Sequence, residues 1–587
     1  MVASTQAPAQ RGKEKAIVGA DAGGIYEREV SVQDTQVDRH EVGVVFWISS
    51  VVALAFILWG VIAPTNFGTV TQAVFEWVVS NLGWFYLLAG NFFLVFVIIL
   101  ALSRYGKFRL GKEGEQPEFS TFAWFAMMFQ AGMGPSLIFW GVAEPLSHYS
   151  APPFGMASPN TTEAAQVGMQ YSYFHWTLHP WAMYAVVGLA VGYFSFRRDE
   201  PGLISPVFRP LLGDRVDGPL GKTIDVMSVL AVLFGVAVSL GTAGLQLTSG
   251  LGETFGTPTG IVVQLLVIGV TTVAFMISAS TAVEKGINYL SQISMYVAAV
   301  LLVFFLVMGP TAVQLGALTQ GVGDYFGGLI PMSMRIESFD QDNAWLGSWT
   351  VFYWSWWIAW CPYVGLFIAR ISRGRTIRQF VMGTVIGPSI VTFIWIAVFG
   401  GSALNVAQTQ GAGIAERVTA DPASGMFVFL NQFPLALPMS ILTLVVLWIF
   451  FVAGADAGTV VLGSMSTGGP QEPKRWIKLS WGLAMAAISG ILLVAGGLGA
   501  LQSASVLFGV PFAFIMVAMC VAFYMHLRSE ARGTRQDRED APLVPRAGST
   551  PSAGEAPPVT GQAFTAEEQA PGYNRQKGIE KPGREGR

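Results

Sequence analysis

Long apolar runs alternate with short polar segments along most of this chain. A helix needs about 20 apolar residues to cross the hydrocarbon core of a bilayer. Twelve runs approach that length, at residues 43–63, 84–104, 120–146, 168–196, 224–252, 259–280, 288–312, 347–371, 378–404, 436–465, 475–497 and 504–527. The pattern therefore predicts an all-α polytopic membrane protein with twelve transmembrane helices.

Basic residues mark one side of the predicted membrane, because Lys and Arg gather on the cytoplasmic side. They follow the even-numbered runs, at Arg104, Lys107, Arg109, Lys112, Arg197, Arg198, Arg209, Arg215, Lys222, Lys285, Arg370, Arg373, Arg375, Arg378, Lys474, Arg475 and Lys478. The loops after the odd-numbered runs carry almost none, Arg335 and Arg417 being the exceptions. This alternation predicts a multi-pass protein of the cell membrane with both termini in the cytoplasm.

The composition excludes several other classes of protein. Of the 587 residues, 52% are hydrophobic and only 12% are charged, against about 25% charged in a typical soluble domain. The net charge of −3 gives no sign of a nucleic-acid partner. Cys361 and Cys520 lie in apolar runs and match no disulfide or zinc pattern. The five His residues are scattered and neither Cys has a His beside it, so we expect no enzyme, no cofactor and no metal.

Runs three and eight begin two sets of five runs. Run three enters from the cytoplasm and run eight from outside, and each contains a proline about midway, Pro135 and Pro362. Such an arrangement is typical of transporters with inverted repeats and interrupted helices. We therefore predict two repeats, helices 3–7 and 8–12, each beginning with a helix broken at its proline. The chain then divides into a cytoplasmic N-terminal tail at 1–42, two peripheral transmembrane helices at 43–112, a first five-helix repeat at 113–320, a periplasmic amphipathic segment at 321–346, a second inverted repeat at 347–527 and a disordered cytoplasmic C-terminal tail at 528–587.

The segment around Pro135 favours local unwinding of run three. Gly132 and Gly134 precede the proline, and in a helix Gly costs about 1 kcal/mol and Pro about 3 kcal/mol relative to Ala. Pro135 also frees the carbonyl of Ala131. Backbone carbonyls at membrane depth are tolerated where they line a cavity or bind an ion. The alternative is a kink that lets helices pack closely.

Aromatic residues concentrate in two places. Run eight has six Trp within sixteen residues, at 345, 349, 354, 356, 357 and 360, and run four carries Trp176, Trp181 and Tyr184. A quaternary ammonium has no hydrogen-bond donor, and aromatic faces hold it by about 2 kcal/mol per desolvated ring. Neither stretch contains an acid, which a cage for a primary amine or metal would need. We therefore predict a cage for a quaternary cation, with Trp345 and Trp349 as interfacial belt residues.

Four motifs show a resemblance to a known family. They are Gly132-Met133-Gly134, Phe174-His175-Trp176 with the aromatic residues after it, Gly347 to Trp360, and Phe367 to Arg378. Over residues 43 to 527 the chain resembles the betaine/carnitine/choline transporter family. The resemblance implies a LeuT-like core of ten helices in an inverted 5+5 repeat, preceded by two extra helices, and often assembled as trimers in the lipid membrane. It implies a cage of Trp176, Trp181, Tyr184 and Trp357, access or second-site residues Trp356 and Trp360, and a further substrate-binding segment of Gly132, Met133, Gly134 and Ser136.

The chain departs from the sodium-coupled members of this family. A Thr pair on run five is replaced by Val232 and Val236, and a Thr-Ser pair on run ten by Ala453 and Gly454. Sodium needs oxygen ligands, and these side chains supply none. We therefore favour proton coupling or exchange over sodium symport.

A coupling proton would need a titratable group, and ionisable residues inside membranes are functional suspects. The candidates are Asp456, Glu144 and His175. As alternatives, Asp456 could cap broken backbone on run ten, and Glu144 could be an interfacial residue. His175 and His179 are four residues apart, but no third metal ligand is near them in sequence.

Ser136 bears on the substrate. Betaine-type members resemble one another in a Gly at this position and choline-type members in an Asp, and a hydroxyl matches neither. This favours glycine betaine, with choline and carnitine as alternatives. Two other functions stay open: a sodium-coupled betaine symporter that uses backbone ligands, and an osmosensing or regulatory membrane protein.

Overall fold

The computed structural model describes residues 42–280, 284–339, 343–411, 413–470 and 472–539, and the regular structure within them is helical. The helices are α1 Val44–Ile62, α2 Pro64–Leu102, α3 Thr121–Ser150, α4 Thr162–Trp176, α5 Leu178–Arg198, α6 Arg209–Leu212, α7 Pro219–Phe255, α8 Ile261–Ser280, α9 Glu284–Met308, α10 Thr311–Ser333, α11 Ala344–Leu346, α12 Phe352–Ile371, α13 Ile377–Gln410, α14 Gly413–Ala420, α15 Gly425–Leu430, α16 Ala436–Ser466 and α17 Arg475–Glu539. The prediction of an all-α protein is confirmed.

Eight helical segments in the described ranges are long and apolar enough to cross a bilayer: α1, α2, α7, α8, α11 to α12, α13, α16 and α17. A ninth is counted if the pair Ile293–Met308 and Thr311–Ser333, bent by 108°, forms one span. The helix α3 and the α4–α5 pair do not meet this test, and α17 contains two of the predicted runs. The protein is thus a multi-pass membrane protein, while twelve crossings stay a prediction.

Several helix boundaries differ from those predicted. The helix α2 begins at Pro64, twenty residues before the run at 84–104, because Pro is well tolerated in a first helical turn. The predicted amphipathic segment at 321–346 begins inside α10, which itself starts at Thr311. The helix α17 extends to Glu539, so the predicted disordered tail from 528 begins within a helix. The rest of that tail and the N-terminal tail up to residue 41 lie outside the described residues.

The breaks within the helices only partly follow the prolines. In α3 the backbone leaves the helical region at Gly134, with φ 32° and ψ −146°, directly before Pro135. The prediction of a break at Pro362 is wrong, because α12 continues through this residue. Run eight instead contains a π-helical turn at Gly347–Val351, at its N-terminal end. The run-eight helix can tolerate its proline because nearly every side chain from Phe352 to Gly365 is buried among neighbouring helices.

Close packing brings the aromatic helices together. The helix α12 packs against α5 and α7, while α3 packs against α4 and α13. At the crossing of α5 and α12, a Cβ atom added to Gly365 would lie 2.7 Å from Val187 Cγ1. Glycine at this position therefore lets the two helix backbones approach closely. The contact places the aromatic residues of run four opposite those of run eight.

Candidate functional site

Four aromatic side chains from three helices form the predicted cage. Trp176 ends α4, Trp181 and Tyr184 lie in the first turns of α5, and Trp357 lies on α12; all four are buried. The helical backbone is interrupted at Thr177, between α4 and α5, where φ is −110° and ψ is −112°. This break separates Trp176 from the α5 residues, so that aromatic side chains of two helices lie on the same side of α12.

The ring geometry makes Trp357 the centre of this set. The ring centroids of Trp357 and Trp176 are 4.9 Å apart with planes at 80°. Tyr184 lies 6.2 Å from Trp357, with planes at 82°. Trp181 joins through Tyr184, at 5.6 Å and 83°. The ring of Trp357 therefore contacts Trp176, which precedes the Thr177 break, and Tyr184, which follows it.

Trp356 and Trp360 connect α12 to α7. Trp356 stacks on Trp357 with centroids 5.3 Å apart and planes at 11°, and its indole N–H donates to Ser239 Oγ at 3.1 Å. The indole N–H of Trp360 donates to the carbonyl of Gly235 at 2.9 Å. Both indole N–H groups are therefore used within the protein, and the ring of Trp356 also stacks on Phe352.

Two polar atoms of the cage residues lack protein partners. The indole Nε1 of Trp181 and the hydroxyl of Tyr184 are buried and have no hydrogen-bond partner among the described residues. Buried donors are nearly always satisfied, by protein, water or ligand. A ligand with an acceptor group, such as a carboxylate, would satisfy both, whereas a wholly apolar ligand would satisfy neither.

Glu144 is the residue whose position differs most from expectation. Its interfacial interpretation is wrong, because the side chain is fully buried. Its Oε2 accepts hydrogen bonds from Trp176 Nε1 at 2.7 Å and from the Tyr353 hydroxyl at 2.6 Å. Its Oε1 lies 2.6 Å from His175 Nδ1 and 3.3 Å from His148 Nε2. A buried carboxylate requires such partners, because desolvation is otherwise too costly.

The carboxylate and the cage share side chains. Trp176 borders Trp357 and also donates to Glu144. The indole N–H of Trp357 donates to the carbonyl of His175 at 3.0 Å, and His175 Nε2 lies 2.9 Å from Thr350 Oγ1. The aromatic stretches contain no acid of their own, and the structure brings one to them from α3. In the sequence, the one indication of this role for Glu144 was its position inside an apolar run, four residues before His148.

The same cluster has the spacing of a metal site, but its atoms are engaged otherwise. One ligand atom each from Glu144, His148 and His175 lie within 4.8 Å of one another. The carboxylate, however, already has four hydrogen-bond donors around it, and the 2.6 Å distance to His175 is that of a hydrogen bond. We therefore treat these residues as a hydrogen-bonded cluster. His179 is not part of it, and its Nε2 lies 3.3 Å from Asn91 Oδ1.

The remaining predicted site residues lie on α3 and α16. Gly132 lies on α3 just before the break at Gly134, Ser136 is half-buried just after it, and the side chain of Met133 lies outside the described set. Asp456 lies on α16, half-buried, where it interacts electrostatically with Tyr363 of α12. The structure thus brings Glu144 and His175 together, and it places Asp456 in a different set of contacts.

The positions expected to hold sodium ligands are apolar in the structure. Val232 and Val236 are both buried on α7, and Val236 Cγ1 faces Gly458 of α16. Ala453 and Gly454 lie on α16 without a side-chain oxygen. Sodium is a hard cation that takes oxygen ligands, so these four side chains cannot coordinate it.

Comparison with known proteins gives consistent matches over nearly the whole helical region. Residues 44–532 match the model for betaine/carnitine/choline family transporters. The glycine betaine transporter OpuD of Bacillus subtilis is 42% identical over 86% of this chain and 98% of its own length. The ectoine/hydroxyectoine transporter of Virgibacillus pantothenticus is 41% identical over 84% and 98%. The high-affinity choline transport protein of Escherichia coli K12 is 38% identical over 85% and 74%.

Proposed function

Because this chain belongs to the betaine/carnitine/choline family of transporters, we propose that it imports a quaternary-ammonium compatible solute by secondary active transport, with glycine betaine favoured over choline and carnitine. Membership of the family makes the chain a transporter and not an enzyme. The observation that carries the proposal is the buried ring set centred on Trp357, with Trp176 and Tyr184 edge-on to it. Trp181 completes this cage.

Aromatic rings suit a trimethylammonium group because their faces carry negative electrostatic potential and need no hydrogen bond from it. Each desolvated ring contributes about 2 kcal/mol. Three or four rings would offset the few kcal/mol that a charge costs at bilayer depth. In this arrangement Trp356 and Trp360 line the path to the cage. The unwound segment from Gly132 to Ser136, at the break in α3, borders the substrate on its other side.

A zwitterionic solute uses this site better than a simple cation. The buried donors on Trp181 and Tyr184 have no acceptor among the described residues, and a substrate carboxylate would supply one. Ser136 offers a hydroxyl dipole but no negative charge to a cationic substrate. Two of the similar proteins are named for glycine betaine and for ectoine, and a third for choline. Glycine betaine combines the quaternary cation that the cage favours with the carboxylate that the donors favour.

The family and the helix order support a particular architecture. In it the twelve predicted spans form a LeuT-like core of two inverted five-helix repeats preceded by two peripheral helices, α1 and α2. The α4–α5 pair is one span broken at Thr177, and α17 is two spans joined at Gly496 and Gly497, where its backbone is non-helical. Both termini lie in the cytoplasm, and the protein assembles as a homotrimer in the lipid membrane.

Transport proceeds without the usual sodium sites, driven by protons or by exchange. The support is the set of four apolar positions, Val232, Val236, Ala453 and Gly454, where the sodium-coupled members have hydroxyls. A sodium-coupled alternative would have to use backbone carbonyls, such as those near Ala131 and Met133.

The test is uptake into liposomes that contain the purified full-length protein. Labelled glycine betaine, choline, carnitine and ectoine are offered under a sodium gradient, a pH gradient or neither. We expect saturable exchange of glycine betaine in the absence of sodium, and tighter binding of glycine betaine than of choline. Absence of exchange of all four solutes would overturn the proposed function, and strict dependence on sodium would overturn the coupling. The osmosensing alternative requires a response to osmotic upshift without solute flux.

A further inference from the structure

The hydrogen-bond partners of Glu144 determine where protons lie in the buried cluster. Trp176 and Tyr353 can only donate to an ionised carboxylate, so both use Oε2 as acceptor. His175 Nδ1 donates to Oε1, and its Nε2 then accepts from the Thr350 hydroxyl. In its neutral form, His175 has both ring nitrogens engaged in this pattern.

One ring nitrogen of His148 makes no hydrogen bond to the described residues. Its Nε2 donates to Glu144 Oε1 at 3.3 Å, which leaves Nδ1 without a proton in the neutral ring. This Nδ1 is buried and has no hydrogen-bond partner among the described residues. One carboxylate and two neutral imidazoles give the cluster a net charge of −1. A single proton added at His148 Nδ1 would make it neutral.

Two aromatic rings border the buried imidazole of His148. Its centroid lies 4.4 Å from that of Trp349 and 5.3 Å from that of Trp345. Aromatic rings at such distances stabilise a cation. These two residues were predicted to be interfacial belt residues, and both are half-buried against this imidazole. The belt role stays a prediction.

We propose that Glu144, His148 and His175 form the binding site of the coupling proton, and that this proton binds at Nδ1 of His148. The inference rests on the proposed function, because it concerns how transport of the solute is driven. The other titratable or charged groups around the cluster are Tyr353 from α12, Tyr171 and His179 from the α4–α5 pair, and Arg335 and Glu337, which act on Tyr171.

The link to the solute follows from charge. A zwitterion whose carboxylate accepts from Trp181 and Tyr184 brings a second negative charge into the cage that Trp176 connects to Glu144. The two carboxylates repel each other while the cluster carries −1. A proton on His148 removes that repulsion, and the solute in turn favours proton binding, because linkage is reciprocal. The proton and the solute are therefore taken up together, which is symport.

The experiment compares two readouts in sodium-free liposomes that contain the full-length protein. Equilibrium exchange of glycine betaine, or of whichever of choline, carnitine and ectoine the wild type exchanges, reports binding and reorientation. Accumulation driven by an alkaline interior reports proton coupling. A pH-sensitive dye inside the liposomes reports acidification when solute is added. His148→Gln keeps an N–H donor for Glu144 but cannot take up a proton, and His179→Gln is the matched control.

We expect His148→Gln to retain exchange and to lose pH-driven accumulation by about tenfold or more, since couplings between sites span about 5- to 150-fold. His179→Gln should accumulate solute as the wild type does. Accumulation by His148→Gln at the wild-type level would overturn the inference. So would a wild type that exchanges solute without acidification, although the proposed transport function would then still stand.

Two further outcomes have defined meanings. If His148→Gln does not fold, as judged by size-exclusion chromatography, His148→Asn takes its place; it does not keep the donor to Glu144, but it also cannot take up a proton, and retained exchange with loss of pH-driven accumulation is again expected. Stoichiometric metal in the purified protein, with loss of exchange on chelation, would overturn the proton site in favour of a metal centre. A wild type that exchanges none of the solutes contradicts the proposed function itself, which separates that failure from a failure of the inference.

Discussion

The indole N–H of Trp176 lies 2.7 Å from Glu144 Oε2, so one side chain both borders the aromatic cage and donates to a buried carboxylate. The two residues are 32 positions apart in the chain and lie on different helices. A charge change at Glu144 therefore acts directly on a wall of the cage. Fixing the indole through its N–H also fixes the ring that Trp357 contacts.

Trp357→Ala should weaken solute binding strongly. It removes the ring that contacts both Trp176 and Tyr184, and a desolvated ring contributes about 2 kcal/mol to holding a cation. We expect a loss of affinity of about 30-fold, because 1.4 kcal/mol corresponds to about tenfold. The measurement is the half-saturation concentration for exchange. Trp77→Ala, at an exposed position on α2, is the control, and unchanged affinity of the Trp357 variant would exclude this residue from the cage.

Tyr353→Phe should destabilise the protein without removing a ring. The hydroxyl donates to the buried Glu144 carboxylate at 2.6 Å, and hydrogen bonds to charged groups contribute about 1.5–3 kcal/mol. We expect a lower melting temperature in detergent. Tyr296→Phe, at an exposed position on α9, should leave it unchanged. Equal melting of the Tyr353 variant and the wild type would mean that Glu144 does not depend on this donor.

Gly365→Ala should separate α5 from α12. The new Cβ atom would lie 2.7 Å from Val187 Cγ1 and 3.1 Å from the backbone nitrogen of Gly188, which cannot move alone. Overpacking of this kind costs about 1–3 kcal/mol. Gly323→Ala on α10 is the control, because its Cβ meets no atom within 4 Å and Ala favours a helix. Comparable melting temperatures for the two variants would contradict the close contact.

Glu115 should contribute stability that depends on pH, in the loop between α2 and α3. The backbone N–H of Lys112, and after it the Arg373 side chain, hold the pKa of the Glu115 carboxyl below its usual range. A lowered folded-state pKa means that the contribution is present above the unfolded-state pKa and is lost as pH falls through the folded value.

The corresponding measurement is the melting temperature of Glu115→Gln and wild type across pH. The variant should melt lower at neutral pH, by an amount equivalent to about 1 kcal/mol or less because the pair is partly exposed, and the difference should vanish in acid. Glu113→Gln, in the same loop, is the control. A difference that persists unchanged in acid would contradict the ionic origin of the effect.

The sequence predicted the features that depend on neighbouring residues. Apolar runs predicted the all-α membrane protein because membrane crossing imposes a length and a composition on each helix. The Gly-rich segment predicted the break in α3, which the structure places at Gly134. Pro362 gave a similar signal with a different result, because a proline in a buried helix can be tolerated where neighbouring helices enclose it. The free-energy cost of a proline within a helix therefore did not by itself distinguish Pro135 from Pro362.

The Glu144 cluster could not be predicted from local patterns. Its partners His175 and Tyr353 lie 31 and 209 residues away in the chain, and only the packing of α3 against α4 and α12 brings them together. Neighbours in sequence suggested pairing His175 with His179, which instead approaches Asn91. The aromatic types and their runs indicated a cage, but a hydrogen-bond network depends on which helix faces are opposed.

Glu144 joins three helices, since donors from α4 and α12 converge on an acid of α3. If these helices slid past one another near Glu144, its buried carboxylate would lose the hydrogen bonds from Trp176 and Tyr353. The three are therefore expected to move as one rigid body around the acid. The backbone is then expected to bend at its irregular positions, Gly134 and Thr177, which flank the helix segments joined through Glu144. Opening and closing of the pathway is then expected to be a pivoting of the part of α3 before Gly134 and of α5 about the joined segments of α3, α4 and α12.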